Sequence, residues 1–511
     1  MDIVRSKKNI ITSVVFKVIL LALGIMTTRY LIKYTGNEVN GIYSLFKSIV
    51  GFLTIAELGV GTAISYCMYK PIVDGNNAEV SALYQLFKKT YGVIGILILI
   101  VGLCVMPFLP LLAKDHSVDV NIYLTYGLML ISIVLGYFYS AKSSLINAYK
   151  NNYVTTIISS GGMAVQQIVQ MAILIAFRSF VLFLICRIVF VVLQWIATEI
   201  CVRKSHGDIL ANKISKISPE LKGEIISNIK AMFMHKIGGA LVNSVDSMII
   251  SAFCGVVLLG KYSNYVSIMT SMVGVLILFF TPLTSVIGHL YAESGGDELK
   301  KYYSFFNGVN FILGAVFFLG YYAVIDEVVF MFFGSGLELP SSVKLVITLN
   351  YFIQFLRQST LLFRDSTGTF YYDRWKPLIE GGLNLVLSLL FVYIFPTQYK
   401  LIGVLIATII TNLFICHIIE PYVLYKHVFK CSMKKREAEI YLQMVAFGIL
   451  LAIFEAVNVS LSSVFGTLML NGCIAVLIAS VSLPVTMATN SGFRHYASGF
   501  MKKALARFKR S

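Results

Sequence analysis

The stretch IITSVVFKVILLALGIMTTRYLI, residues 10–32, decides the fold. Its only charges are Lys17 and Arg29. At 1.5 Å of rise per residue, about 20 apolar residues cross the roughly 30 Å of a bilayer's hydrocarbon core. The run is too long for the apolar region of a signal peptide, and no A-x-A-like site follows it. It is expected to be the first spanning helix.

Runs of similar length recur outward from this one, each closed by a short polar turn. They cover residues 42–67, 91–112, 122–145, 154–177, 180–200, 230–254, 263–290, 304–325, 343–363, 377–396, 401–424, 440–457 and 465–488. With the first, that makes about fourteen expected spans. Composition agrees: 57% of the 511 residues are hydrophobic and 13% charged, against about 25% charged in a soluble domain. So few charges cannot cover a water-exposed surface of this size. Phe177-Arg178-Ser179-Phe180 is the shortest boundary, one arginine marking the turn. Prolines fall mainly at helix ends (Pro71, Pro107, Pro110, Pro340, Pro377, Pro396), while Pro282 and Pro484 lie inside spans and should kink them. The eight cysteines contain no C-x-x-C and sit mostly in apolar runs, as small core hydrophobes do.

Lys and Arg number 42 against 25 Asp and Glu, a net charge of +17. A soluble protein so basic would suggest nucleic acid, but cytoplasmic loops of membrane proteins carry the same excess. Placing the N-terminus inside puts about 30 cations in cytoplasmic segments and about 6 in outward loops. The largest inside clusters are Arg203 to Lys230, Lys426 to Arg436 and Arg494 to Arg510. Both termini are therefore expected in the cytoplasm.

A repeat runs at an offset near 219. The segment from Gly36 to Ser44 matches that from Gly255 to Ser263 at both glycines, the tyrosine and the serine, and Lys17 pairs with Lys236. At offset 220, Ser160-Gly161-Gly162-Met163 aligns with Glu380-Gly381-Gly382-Leu383. The expected organisation is a six-helix bundle over 1–200, a basic linker over 201–229 and a second six-helix bundle over 230–430. Two additional helices over 431–490 and a basic tail over 491–511 complete it. Transporters built from repeats place their sites where the repeats meet.

Enzyme chemistry finds no support. Gly255-x4-Gly260-Lys261 lacks the Ser or Thr a P-loop needs for magnesium, because Tyr262 follows. The seven histidines are dispersed, so no metal site, catalytic residue or cofactor is expected. The informative residues are charges inside spans, each costing about 2.5–3.5 kcal/mol at a helix centre. They are Lys17 and Arg29 in the first span, Lys47 and Glu57 in the second, Arg187 in the sixth, Lys236 and Asp246 in the seventh, and Arg357 in the tenth. Six cations against two acids leave a positive surplus, which points to a wet cationic chamber suited to a large anionic substrate. Arg29 and Lys47 also lie near enough to outer helix ends to snorkel. Glu57 and Asp246 are candidate ion-pair partners or sites of proton or sodium coupling, and Lys17 is the expected partner of Glu57. Glu380, Glu199, Glu420 and Glu455 are expected at the interface.

Ala56-Glu57-Leu58-Gly59-Val60-Gly61-Thr62-Ala63-Ile64-Ser65-Tyr66, continuing to Tyr69-Lys70-Pro71, resembles the N-terminal signature of Wzx-like polysaccharide flippases. Val245-Asp246-Ser247-Met248-Ile249-Ile250-Ser251, Gly260-Lys261-Tyr262-Ser263, and Arg374-Trp375-Lys376-Pro377-Leu378-Ile379-Glu380 with Asn384 resemble the same family. The resemblance runs from about residue 10 to 430. It implies the multidrug/oligosaccharidyl-lipid/polysaccharide exporter superfamily: all-α integral membrane proteins with two pseudo-symmetric six-helix bundles in a V shape, here with two more helices at the C-terminal end. It also implies alternating access and an undecaprenyl-diphosphate-linked oligosaccharide as substrate. The implied partners are this lipid-linked anionic glycan, membrane lipids and a polysaccharide polymerase, with no nucleic acid. Depth and charge nominate Lys17, Lys236 and Arg357 first as substrate contacts, then Arg29, Lys47 and Arg187. A peptidoglycan-precursor flippase and a multidrug/cation antiporter of the same superfamily are the alternatives, although an antiporter for cations would favour luminal acids. A membrane-embedded glycan polymerase would need a large external loop, and none is present in the sequence.

Lys17→Glu is expected to impair export of surface glycan more than Lys33→Glu, because Lys33 falls in an outward loop. Surface-glycan staining of complemented cells measures the difference, and equal effects would remove Lys17 from the transport path.

Overall fold

The computed structural model describes residues 2–57, 60–114, 117–211, 223, 244–280 and 283–508. Among them every regular element is helical. Ten helices are long and apolar enough to cross a membrane. The remaining expected spans correspond to Asn37–Leu53 with Val60–Val73, Ser244–Cys254, Val256–Phe280 and Ser341–Leu356. The expected order of spans is therefore present. Leu58, Gly59, Pro282, Lys236 and most of the basic run up to Lys230 lie outside the described residues. The helix Phe180–Ala211 continues into the expected linker.

The chain divides into two compact units, Met1–Ser263 and Asn264–Ser511. In the first, Ile122–Ala148 packs against both Asn77–Val105 and Phe180–Ala211, while Asp2–Thr35 lies along Gly162–Phe177. In the second, the long helix Leu283–Phe333 packs against Ser341–Leu356, Gln358–Thr367 and Val464–Ala479, and Lys376–Ile394 pairs with Lys400–Thr411. Residues 491–508, expected as a basic tail, form a helix anchored to this unit. Phe493 is buried and stacks on Phe305 at 5.7 Å, and the Asn490 amide donates to the Ser304 carbonyl at 2.7 Å.

Local chemistry explains where the helices stop and bend. Arg178 ends the fifth span with φ of 50°, as the Phe177-Arg178-Ser179-Phe180 boundary predicts. The last span breaks after Ala479 and resumes at Ser482, two residues before Pro484, where the missing N–H of proline is harmless. Other interruptions fall within expected spans, including a π turn at Ile157–Gly161 in the fifth and a break at Arg357 in the tenth. The second span is interrupted by a 3-10 turn at Thr54–Glu57, where the Thr54 hydroxyl donates to the Gly51 carbonyl at 2.9 Å. The twelfth widens into a π turn at Asn412–Cys416, just before the helix that holds Pro421. Such turns redistribute backbone bonds beside a proline and often mark functional positions.

Two glycines that align in the sequence at offset 219 share a backbone conformation. Gly36 and Gly255, matched at offset 219, have φ of 93° and 87°, a region that side chains with a Cβ rarely adopt. Each residue opens a helix, Asn37–Leu53 and Val256–Phe280, and the two openings pack together within the first unit. The Asn37 amide donates to the Val257 carbonyl at 3.0 Å, and the Asn40 amide to Ser263 Oγ at 3.2 Å. A Cβ on Gly41 would lie 1.9 Å from the Val256 oxygen, and one on Gly260 would lie 2.5 Å from the Asn37 oxygen. Backbone stands on both sides, so neither contact has room to relax. Small residues allow such close helix approach inside membranes.

Gly41→Ala and Gly260→Ala are each expected to destabilise the protein by about 1–3 kcal/mol, the usual cost of overpacking. Thermal unfolding in detergent measures this. Gly136→Ala is the control, since a Cβ there meets nothing within 4 Å, and its midpoint should not fall.

Candidate functional site

In the first unit, polar side chains gather on three helices around Tyr43. Tyr43 and Lys47 are one turn apart on Asn37–Leu53, so they share a face. The Tyr43 ring meets Phe180 and Phe183 edge-on at 5.9 and 5.5 Å, which fixes its plane. The Lys47 ammonium lies over that ring at 4.6 Å. From Phe180–Ala211, the Arg187 guanidinium donates to Ser132 Oγ at 3.1 Å and reaches the Tyr43 hydroxyl at 3.5 Å. Lys47 and Arg187 are close enough to repel each other, and neither has an ion-pair partner among the described residues. Counted along their helices, Lys47 lies about 15 Å and Arg187 about 10 Å below the helix starts. Lys47 is exposed and Arg187 partly so. Nearby polarity is neutral: the Gln170 amide donates to the Phe183 carbonyl at 2.9 Å, and Tyr139 to Gln194 at 3.1 Å. This arrangement can receive an anion between an ammonium and a guanidinium, with a tyrosine hydroxyl and an aromatic face beside it.

The other sequence candidates are dispersed. Glu57 sits at the interruption of the second span and accepts a hydrogen bond from Tyr91 at 3.2 Å, with the Tyr137 hydroxyl also directed at it. The expected Lys17–Glu57 pair does not form; tyrosines from the third and fourth spans occupy the carboxylate. Lys17 is half-exposed on a helix that is little covered by the rest of the unit, and makes no ion pair among the described residues. Arg29 is exposed, Asp246 is buried in Ser244–Cys254, and Lys236 lies outside the described residues. Among the described residues, no group of three His, Cys, Asp or Glu is placed to hold a metal ion.

Arg357 has a different setting from the one its depth suggested. It occupies the break between Ser341–Leu356 and Gln358–Thr367, and its side chain enters a buried charge cluster of the second unit. Its guanidinium forms a two-pronged bond with Glu420, at 3.0 and 2.6 Å, and donates to Asn412 at 2.6 Å. Lys376 bonds the same Glu420 at 2.7 Å and Glu380 at 2.9 Å, while Glu380 lies 3.7 Å from Arg357. Glu420 is 0% and Glu380 7% exposed, so both carboxylates are packed inside the unit and turned to the two cations. Glu420 and Glu380 together neutralise Arg357 and Lys376, so Arg357 does not contribute to a positive surplus. The Lys376–Glu380 spacing of four residues was the available sequence signal. The approach of Glu420 was not visible, because the turn between the eleventh and twelfth spans sets it. Alongside, Arg364 bonds Asp373 at 3.0 Å, tying the 368–375 turn to the same helix ends.

No family model matches the chain, and neither does any curated protein. Among solved structures it is similar to the lipid II flippase MurJ in an inward closed conformation. That match has a TM-score of 0.62 and 12% identity, covering 95% of this chain and 99% of that one. It is also similar to an inward-facing multidrug resistance MATE family transporter of the MOP superfamily, with a TM-score of 0.53, 12% identity and coverage of 77% and 92%. A MATE structure in a bent conformation matches with a TM-score of 0.51, 13% identity and coverage of 86% and 97%. At such identities the likeness is one of fold: this is a multi-pass membrane protein with the helical architecture of MOP-superfamily transporters.

Glu420→Gln is expected to destabilise the protein by about 3–5 kcal/mol, because it leaves Arg357 and Lys376 buried with too little compensation. Arg357→Ala should likewise lower folded yield, since it strands Glu420. The double variant Arg357→Met/Glu420→Leu should be less harmful than either single change. Size-exclusion recovery and thermal midpoints in detergent check the order.

Proposed function

We propose that the chain is a flippase that moves undecaprenyl-diphosphate-linked oligosaccharide repeat units across a bacterial plasma membrane by alternating access, supplying capsule, O-antigen or exopolysaccharide synthesis. The observation that carries this reading is the convergence of Lys47 and Arg187 on Tyr43 without an acidic partner among the described residues. Two cations held around one tyrosine repel, and a diphosphate between them would relieve the repulsion while gaining charge-assisted hydrogen bonds. Aromatic rings and carboxamides beside them suit sugar hydroxyls and apolar sugar faces. In this reading Lys47 and Arg187 contact the phosphates, with Lys17, Arg29 and Lys236 along the route. Arg357 serves by positioning helices, through Glu420. Glu57 and Asp246 remain the proposed acids for proton or sodium coupling.

A second reading, a flippase for the peptidoglycan precursor, has the fold shared with the lipid II flippase MurJ in its favour. It would use the same cations for the same diphosphate. A multidrug antiporter for cations fits an unneutralised ammonium–guanidinium pair poorly.

The test is complementation of a strain that lacks repeat-unit export, with surface glycan as the readout, alongside rescue of a strain lacking its peptidoglycan-precursor flippase. Restoration in the first strain alone supports the proposal, and restoration in the second alone selects the other reading. Lys47→Gln/Arg187→Gln should lower export by about 30-fold or more, the cost of losing charge-assisted contacts to a desolvated anion. Membrane levels of the protein should stay normal. Export unchanged by this double variant would remove both residues from the site.

A further inference from the structure

The connection between the twelfth and thirteenth spans forms a second basic site, sharing no residue with the one around Tyr43. The helix His417–His427 ends there, the chain turns through Lys430 with φ of 50°, and Lys434–Val457 begins. The turn borders an open cavity of about 680 Å³, lined among others by Tyr422, Tyr425, Lys426, Lys430, Ser432 and Lys434. Among the described residues, no lining side chain is acidic. All three lysines are exposed, and none forms an ion pair among the described residues. Tyr425 is buried at the base of the turn, and the Lys300 ammonium, 5.8 Å from its ring, adds a fourth positive charge nearby.

The level of this cavity is set by its neighbours. One candidate span ends at His427 and the next begins at Ala438, so the lining residues bridge two helix ends at the membrane–water boundary. Aromatic side chains mark the same level: Tyr422 is 49% exposed and carries Lys426 over its face at 5.4 Å. Tyr372 stacks on His427 at 3.7 Å. Tyrosine and lysine favour the headgroup layer for their mixed polar and apolar character. The cation bias of the sequence assigns this end to the cytoplasm, whose leaflet is rich in anionic lipid.

We propose that this pocket binds the phosphate of an anionic phospholipid from the adjoining leaflet. Lys426, Lys430 and Lys434 supply the positive charge, the Ser432 hydroxyl a neutral donor, and the exposed face of Tyr422 packs on the glycerol and upper acyl chain. Three mobile ammonium groups around an open cavity suit a phosphodiester that diffuses in laterally, since point charges do not demand one fixed geometry. The site is independent of the transported substrate. It gives the second unit a contact with lipid that would hold the end of the twelfth span at the membrane surface.

The test uses the full chain, purified in neutral detergent and stripped of lipid. It is titrated with monomeric dihexanoylphosphatidylglycerol, dihexanoylphosphatidylcholine or inorganic phosphate, with the thermal midpoint as readout. Phosphatidylglycerol should raise the midpoint saturably, and the other two should not. Lys426→Gln/Lys430→Gln/Lys434→Gln should weaken the phosphatidylglycerol response by roughly a hundredfold at low salt, at about one surface charge's contribution per lysine. The corresponding triple arginine variant should restore it. If the triple glutamine variant fails to fold, Lys430→Gln alone should weaken the response by about fivefold. Three results would each overturn the assignment: protection by phosphatidylcholine equal to that by phosphatidylglycerol, protection by inorganic phosphate alone, or a glutamine variant that responds like the parent.

Discussion

A charged side chain removed from water must find an opposite charge, a set of hydrogen-bond donors and acceptors, or a wet path, and the two units of this protein answer that demand differently. In the second unit, Arg357 and Lys376 are tied to Glu420 and Glu380 in a closed cluster. Its members come from the tenth, eleventh and twelfth spans, so the electrostatic constraint also fixes the ends of those helices. In the first unit, Lys47 and Arg187 share a tyrosine but have no carboxylate among the described residues. A closed cluster is suited to holding helices, and an open pair is suited to meeting an anion.

The same contrast runs through the helix interruptions. The break at Thr54–Glu57 places a carboxylate against the hydroxyls of Tyr91 and Tyr137, and the break at Arg357 places a guanidinium against Glu420. An uninterrupted helix satisfies its own backbone and needs nothing from its surroundings. Each interruption frees backbone groups and redirects a side chain, so it survives only where neighbouring helices supply partners. The glycine contacts near Gly41 and Gly260 are the opposite device, bringing two helix openings so close that backbone and asparagine side chains bond directly. The fold therefore combines close backbone contact at Gly41 and Gly260 with helix interruptions at Thr54–Glu57 and at Arg357.

The basic turn after the twelfth span, the stacked Tyr372 and His427, and the docked C-terminal helix all lie at helix ends of the second unit. Their chemistry is that of the headgroup layer: aromatic bodies with polar edges, and lysines on flexible stems.

The sequence by itself determined the membrane class and the order and approximate limits of the spans, and it raised the expectation of a repeat. These follow from apolar run length, proline and glycine placement, and a fixed offset, all of which are local. The positive φ at Gly36 and Gly255 was legible as a matched pair of glycines, and the turn at Arg178 as a single charge between two apolar runs. Only the tertiary structure decided which charges meet. Glu420 lies 63 positions from Arg357, and Arg187 lies 144 from Tyr43, so no local pattern records either contact. Depth along a helix indicates how costly a charge is, whereas the identity of its partner depends on which helices pack side by side. That packing turned Arg357 from an expected substrate contact into a neutralised helix tie, and left Lys47 and Arg187 together as the candidate site.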